Sequence, residues 1–178
     1  MRKFTPFLLV VSIAATAVAA AAQGAARAGP FDPKSGRFAT SLPSESNRPP
    51  DTLAVSSDKV WAAINQVYGQ LGIPITVVDT QSKVLGALRA TQRHPVAGER
   101  LSRIVECGTG PYGPNAERYT VELTALSAVA PINATTTIID TRVGGVASPN
   151  GLNSSVACGS TGVLEDKILD AVKKQLGM

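Results

Sequence analysis

Apolar positions recur along the chain from residue 58 onward with two different periods. From Asp58 to Leu71, Val60, Ile64, Val67 and Leu71 are spaced four, three and four apart, which is one face of an amphipathic helix. Ser56 or Ser57 can cap its start. Gly72 supplies the terminating position and Pro74 forbids continuation. Ile73–Asp79 is then rich in β-branched residues, a polar turn follows at Gln81 and Ser82, and Val84–Gln92 completes a predicted hairpin. Tyr119, Val121, Leu123 and Ala125 alternate with Thr120, Glu122 and Thr124, the period of a strand with one wet face. Thr135–Val143 predicts another strand, and Thr52–Val55 a short first one. At the end, Leu164, Ile168, Val172 and Leu176 recur every four residues. Glu165 and Asp166 in the first turn and Lys173 and Lys174 in the last complement the helix dipole, with Gly177 placed to cap.

This order predicts an α+β fold: a mostly antiparallel sheet of four to five strands with two helices packed on one face, a helix-grip-like arrangement. About 120 residues suffice for one such core. All four phenylalanines precede residue 56, so the core must come from Val, Ile, Leu and Ala, with Trp61 as its large ring.

The first 55 residues read differently. Arg2 and Lys3 precede an apolar run, Phe7–Val18, that dissolves into alanines with small residues at each plausible cleavage position. This is the pattern of a secretory signal peptide over residues 1–22. A transmembrane anchor is the alternative, but the run is short for a span of about 20 residues. No cysteine lies nearby to carry a lipid, so the expected location is periplasmic or extracellular, with at most peripheral membrane contact. Residues 23–55 contain five prolines and no sustained apolar period, the composition of a flexible tether, which leaves residues 56–178 as a single domain.

Composition adds little until it is divided by region. The chain carries a formal +4. Two of those charges belong to the signal, one to the tether and one to the domain. That residual charge, with few aromatics for stacking, argues against nucleic acid as a partner. The one local basic concentration, Arg89, Arg93, His94, Arg100 and Arg103, is a solvated face by default. Its four arginines are also a candidate anion patch for an acidic partner, lipid headgroups or a polysaccharide.

Cys107 and Cys158 are the chain's two thiols. In an exported protein an even pair predicts a disulfide, which would stabilise the fold by about 4 kcal/mol on the chain-entropy model by tying the connection after the first hairpin to the loop before the last helix. A catalytic cysteine with His94 as base is the sharper alternative. Two Cys and one His leave a zinc tetrahedron one ligand short, so no metal and no cofactor is expected. Gly108, Gly110 and Gly113 have dinucleotide-loop spacing, but Pro111 and Pro114 interrupt and no helix pattern follows. Gly159–Gly162 lies where the last helix begins; Ser160 or Thr161 as a cap is the simpler reading than a phosphate loop, since no glycine-lysine pair follows. His94 lacks the glycine-flanked serine of a hydrolase elbow.

The run Val60-Trp61-Ala62-Ala63-Ile64, followed by Leu71-Gly72-Ile73-Pro74 and a strand ending at Val78-Asp79, resembles the opening of helix-grip domains. Those of the BamC/NlpB-like envelope lipoproteins are the ones in question; the chain is also similar to small exported bacterial domains of unknown function. The resemblance implies a non-enzymatic envelope protein that binds other proteins. The chain lacks the lipidated cysteine of those lipoproteins, and the matching positions are structural, so no binding residue transfers. The expectation is therefore an exported, non-enzymatic interaction or accessory module with envelope protein partners. The alternative is a binder of a small apolar or lipid ligand held between sheet and helix.

Overall fold

The computed structural model describes residues 48–150 and 154–178, together with the backbone of a short strand pair at 31–32 and 37–38. Residues 1–22, which the sequence reads as a signal peptide, and most of the expected tether lie outside the described residues. In chain order the elements are β1 (Phe31–Asp32), β2 (Arg37–Phe38), β3 (Asp51–Leu53), α1 (Ser57–Gln70), β4 (Val77–Asp79) and β5 (Val84–Gln92). Then come α2 (Leu101–Ile104), β6 (Val105–Glu106), β7 (Thr109–Gly110), β8 (Gly113–Pro114) and α3 (Asn115–Arg118). The chain closes with β9 (Thr120–Pro131), β10 (Thr137–Ser148), β11 (Val156–Ser160) and α4 (Val163–Gln175).

The fold is α+β with an antiparallel main sheet. That sheet has seven strands rather than four or five: its order is β4-β5-β9-β10-β11-β6, and β3 pairs with β10 beside Thr137–Ile139. The expected short strand near Thr52 is present as β3, and the extra strands, β6 and β11, have two and five residues, too short to show a period against the loops around them. Leu53 of β3 is buried in the core, so a segment whose prolines suggest a tether supplies a strand to the domain.

The sheet is built around one long hairpin. β9 and β10 pair over twelve residues each without a register shift, from Thr137 opposite Pro131 to Ser148 opposite Thr120. Its inward residues, among them Val121, Leu123, Ala125, Val129, Ile139, Val143 and Ala147, meet Val60, Ile64, Val67 and Tyr68 of α1 and Leu164, Ile168, Leu169 and Val172 of α4. Trp61 is only partly buried; the ring at the centre is Tyr68, 0% exposed. Its hydroxyl shares a 2.9 Å hydrogen bond with Ser127, which shares one of 2.8 Å with Thr141. The alternation in β9 predicts a wet outer face. That face is instead closed from Thr124 onward, with Leu126, Ala128 and Ala130 buried, and Asp140 paired with Arg142 through contacts of 2.8 and 3.1 Å.

Both long helices end as their glycines predict. Gly72 and Gly177 adopt φ of +66° and +74°. The N–H of Ile73 reaches the Tyr68 carbonyl and that of Met178 the Lys173 carbonyl, each at the spacing of a Schellman motif. Ser56 occupies the N-cap of α1, the position its sequence predicts, without a side-chain cap bond. At α4 the N-cap is Gly162, φ +87°, and the two candidate hydroxyls lie just ahead of it: Ser160 Oγ donates to Glu165 at 2.5 Å and accepts the Gly162 N–H at 3.0 Å, and Thr161 Oγ1 donates to the carbonyls of Arg103 and Ile104 and accepts the Val163 N–H at 3.5 Å.

Two features bend β5. Gly86 lies so close to β9 that a Cβ there would stand 2.0 Å from the Ala125 carbonyl oxygen. Further on, Leu88 and Arg89 oppose the single residue Thr124, a bulge with Arg89 at φ +51°.

Candidate functional site

Cys107 and Cys158 are bonded to each other. Cys158 sits in β11 rather than in the loop before α4, and the β11–β6 register, Gly159 opposite Glu106, sets the two cysteines directly across from one another. Their Cα atoms are 4.2 Å apart, close to the separation of a non-hydrogen-bonded antiparallel pair. Both are buried. With both sulfurs in a bond, neither supplies a thiolate for His94. The disulfide also anchors α3: Asn115 Nδ2 donates to the Cys107 carbonyl at 3.0 Å, and the Asn115 N–H donates to the Gly108 carbonyl at 2.9 Å.

The basic concentration separates into different environments. Arg89 pairs with Glu122 at 2.7 Å, a cross-strand contact made possible by the bulge. Arg103 pairs with Glu99 at 3.5 Å, and Glu99 also receives Lys167 of α4 at 3.0 Å. The Lys167 hydrogen bond, with the nearby positive charges, holds the Glu99 carboxyl below its ordinary value. Arg100 lies close enough to Glu117 to favour that carboxylate's ionised form. Arg93 makes no ion pair or hydrogen bond with any described residue and lines a cleft.

That cleft, of about 180 Å³, is walled by the end of β5, α2, α3 and the start of β9. Its lining includes Arg93, His94, Glu117, Arg118, Thr120 and Asn150 over an apolar floor of Leu101 and Ala116. Register explains the assembly. Gln92 pairs with Val121, so Arg93 and His94 leave β5 beside Thr120 and Tyr119, and β10 ends at Ser148 opposite Thr120, which brings Asn150 to the same corner. Thr120 Oγ1 donates to Asn150 Oδ1 at 3.2 Å.

The loop bearing Arg93 and His94 is pinned. Val96 and Glu99 exchange hydrogen bonds of 3.0 and 2.9 Å around Ala97 and Gly98, both at positive φ, a tight turn of type I′ character. Val96 itself is buried. On the opposite wall, Glu117 accepts the Ser102 N–H at 2.9 Å, and hydrogen bonds from Ser102, aided by Arg100, keep its carboxyl below the ordinary range. The Arg118 guanidinium lies 5.0 Å from the centre of the exposed Tyr112 ring, which orients it. Arg118, Thr120 and Asn150 carry no signal in the sequence, because only strand register brings them to Arg93.

Between sheet and helices the packing is full. Val60, Ile64, Val67, Leu164, Ile168 and Val172 are each 0% exposed. A void of about 10 Å³ opens near Thr141, Glu165 and Leu169, room for about one water. Among the described residues no three His, Cys, Asp or Glu side chains gather as a metal set, and no helix is long and apolar enough to cross a membrane.

The fold and site define an α+β domain, disulfide-tied beside a cationic surface cleft. Comparison with protein-family models, with curated proteins and with solved structures finds no match for this chain.

Proposed function

We propose that the protein is an exported, non-enzymatic interaction or accessory module of a bacterial cell envelope, working through its surface on protein partners. The observation that carries this reading is the filled interface between sheet and helices, beside a polar cleft that is open to solvent. A carrier of apolar ligands needs an enclosed, apolar-lined space of several hundred cubic ångströms. The void near Thr141, at about 10 Å³, is far smaller and partly polar. The buried disulfide is compatible with an oxidising compartment, and the signal-like residues 1–22 supply the route there. The element order, an antiparallel sheet between a first and a last helix, supports kinship with the helix-grip domains of envelope lipoproteins.

Chemical crosslinking in intact cells of the source organism, followed by identification of co-purified proteins, tests the proposal. A defined heterologous adduct that disappears on reduction of a cleavable linker is expected. Recovery of monomer alone contradicts it.

A further inference from the structure

We propose that the cleft between β5, α2, α3 and β9 is a carboxylate-binding site that seats an acidic side chain of the protein partner. This rests on the interaction reading and names the chemistry of its contact.

Three features of the cleft point to this ligand. First, Arg93 and Arg118 line it, and neither forms an ion pair with a described residue, whereas Arg89 and Arg103 nearby both do. Guanidiniums of two residues lining one cleft offer the planar donor forks that carboxylates accept in bidentate fashion. Second, the surroundings are cationic. Two guanidiniums line the cleft with the Glu117 carboxylate, whose charge Ser102 hydrogen bonds hold and the nearby Arg100 offsets, so the balance at the cleft is positive and suits an added carboxylate. Third, the floor of Leu101 and Ala116 with Pro95 at the rim receives the methylene stem of an acidic side chain, and Thr120 and Asn150 add neutral polar contacts.

The cleft is also held ready. The turn at Ala97–Gly98 and the Glu99–Lys167 contact fix one wall to α4, and Asn115 fixes the other to the disulfide. Ordering costs on binding then fall mainly on the partner.

The test is a titration of the oxidised, exported protein with acetyl-Ala-Glu-Ala-amide, followed by backbone amide NMR shifts. Saturable shifts at Arg93, His94, Arg118 and Asn150 are expected, with a dissociation constant on the order of 1 mM or tighter. The Gln analogue should bind at least tenfold more weakly. Arg93→Gln and Arg118→Gln, both at exposed positions and not expected to disturb folding, should each weaken the Glu peptide at least tenfold, and Arg103→Gln should leave it within twofold. The assignment is overturned if the Gln peptide binds equally, if Arg103→Gln weakens binding as much as Arg93→Gln, or if glucuronate or inorganic phosphate saturates the cleft more tightly than the peptide. A failed titration beside an in-cell crosslink that still recovers a partner overturns the cleft assignment alone. Monomer alone in cells removes the interaction reading beneath it.

Discussion

Tyr68 is the residue on which the interior turns. Burial pushes its phenol above the ordinary 10.0, the Ser127 hydrogen bond opposing in part. The sign for stability follows. Below pH 10 folded and unfolded chains both keep the proton, and the contribution of the neutral phenol is complete. Above pH 10 the unfolded chain releases it first, so stability falls as pH rises. Chemical denaturation across pH 8 to 11 should show that fall, and Tyr68→Phe should flatten it while costing about 1 kcal/mol at neutral pH for the lost hydrogen bond. An equally steep alkaline fall in the Phe variant would contradict this. Gly86 is a second such position. Its backbone conformation, φ +147°, and the 2.0 Å that would separate a Cβ from the Ala125 carbonyl oxygen leave no room for a side chain. Gly86→Ala should therefore destabilise by about 3 kcal/mol in a thermal melt, well beyond a surface substitution.

At the scale of elements, legibility followed length. The two long helices announced themselves through apolar residues three and four apart, and their ends through Gly72 and Gly177, because a C-terminal glycine solves a local hydrogen-bonding problem whatever the tertiary context. Helix starts were less legible. Ser160 and Thr161 look like caps in sequence, but the N-cap is Gly162; their hydroxyls sit just before it, accepting the Gly162 and Val163 N–H groups while donating to Glu165 and to the Arg103 and Ile104 carbonyls. The four-residue helices α2 and α3 and the strand β11 have too few residues to display a period. Of the cleft, Arg93 and His94 stood out as local charge, while Arg118, Thr120 and Asn150 depend on register, which spacing does not encode. The disulfide was legible as a pair but its setting was not. Replacing both cysteines with serine should cost about 4 kcal/mol on the chain-entropy model. Hydrogen exchange should accelerate first in α3 and the Cys107 loop, since Asn115 hangs from Cys107. Uniform acceleration across β9 and β10 would contradict that local role.

For the whole molecule, the formal +4 that invites a polyanion partner reduces to near neutrality on the domain, and what remains is arranged rather than abundant. Glu99 and Glu117 both sit below the ordinary carboxyl value of 4.5, held by Lys167 and Ser102 respectively. A lowered carboxyl contributes stability above pH 4.5 and loses it as pH falls through the folded value. Acidification below pH 4.5 should thus loosen the cleft walls, seen as loss of amide protection at residues 93–104 and 115–118 before the β9–β10 hairpin. On the proposed reading, this filled domain acts through that cleft on a protein. The most direct measurement places a photoreactive side chain at Tyr112, which is exposed against Arg118, and separately at Lys174 on the last turn of α4, and illuminates intact cells. A discrete protein adduct from position 112 that Arg93→Gln diminishes, and none from position 174, is the expected result. No adduct at 112, or equal adducts at both positions, would contradict it.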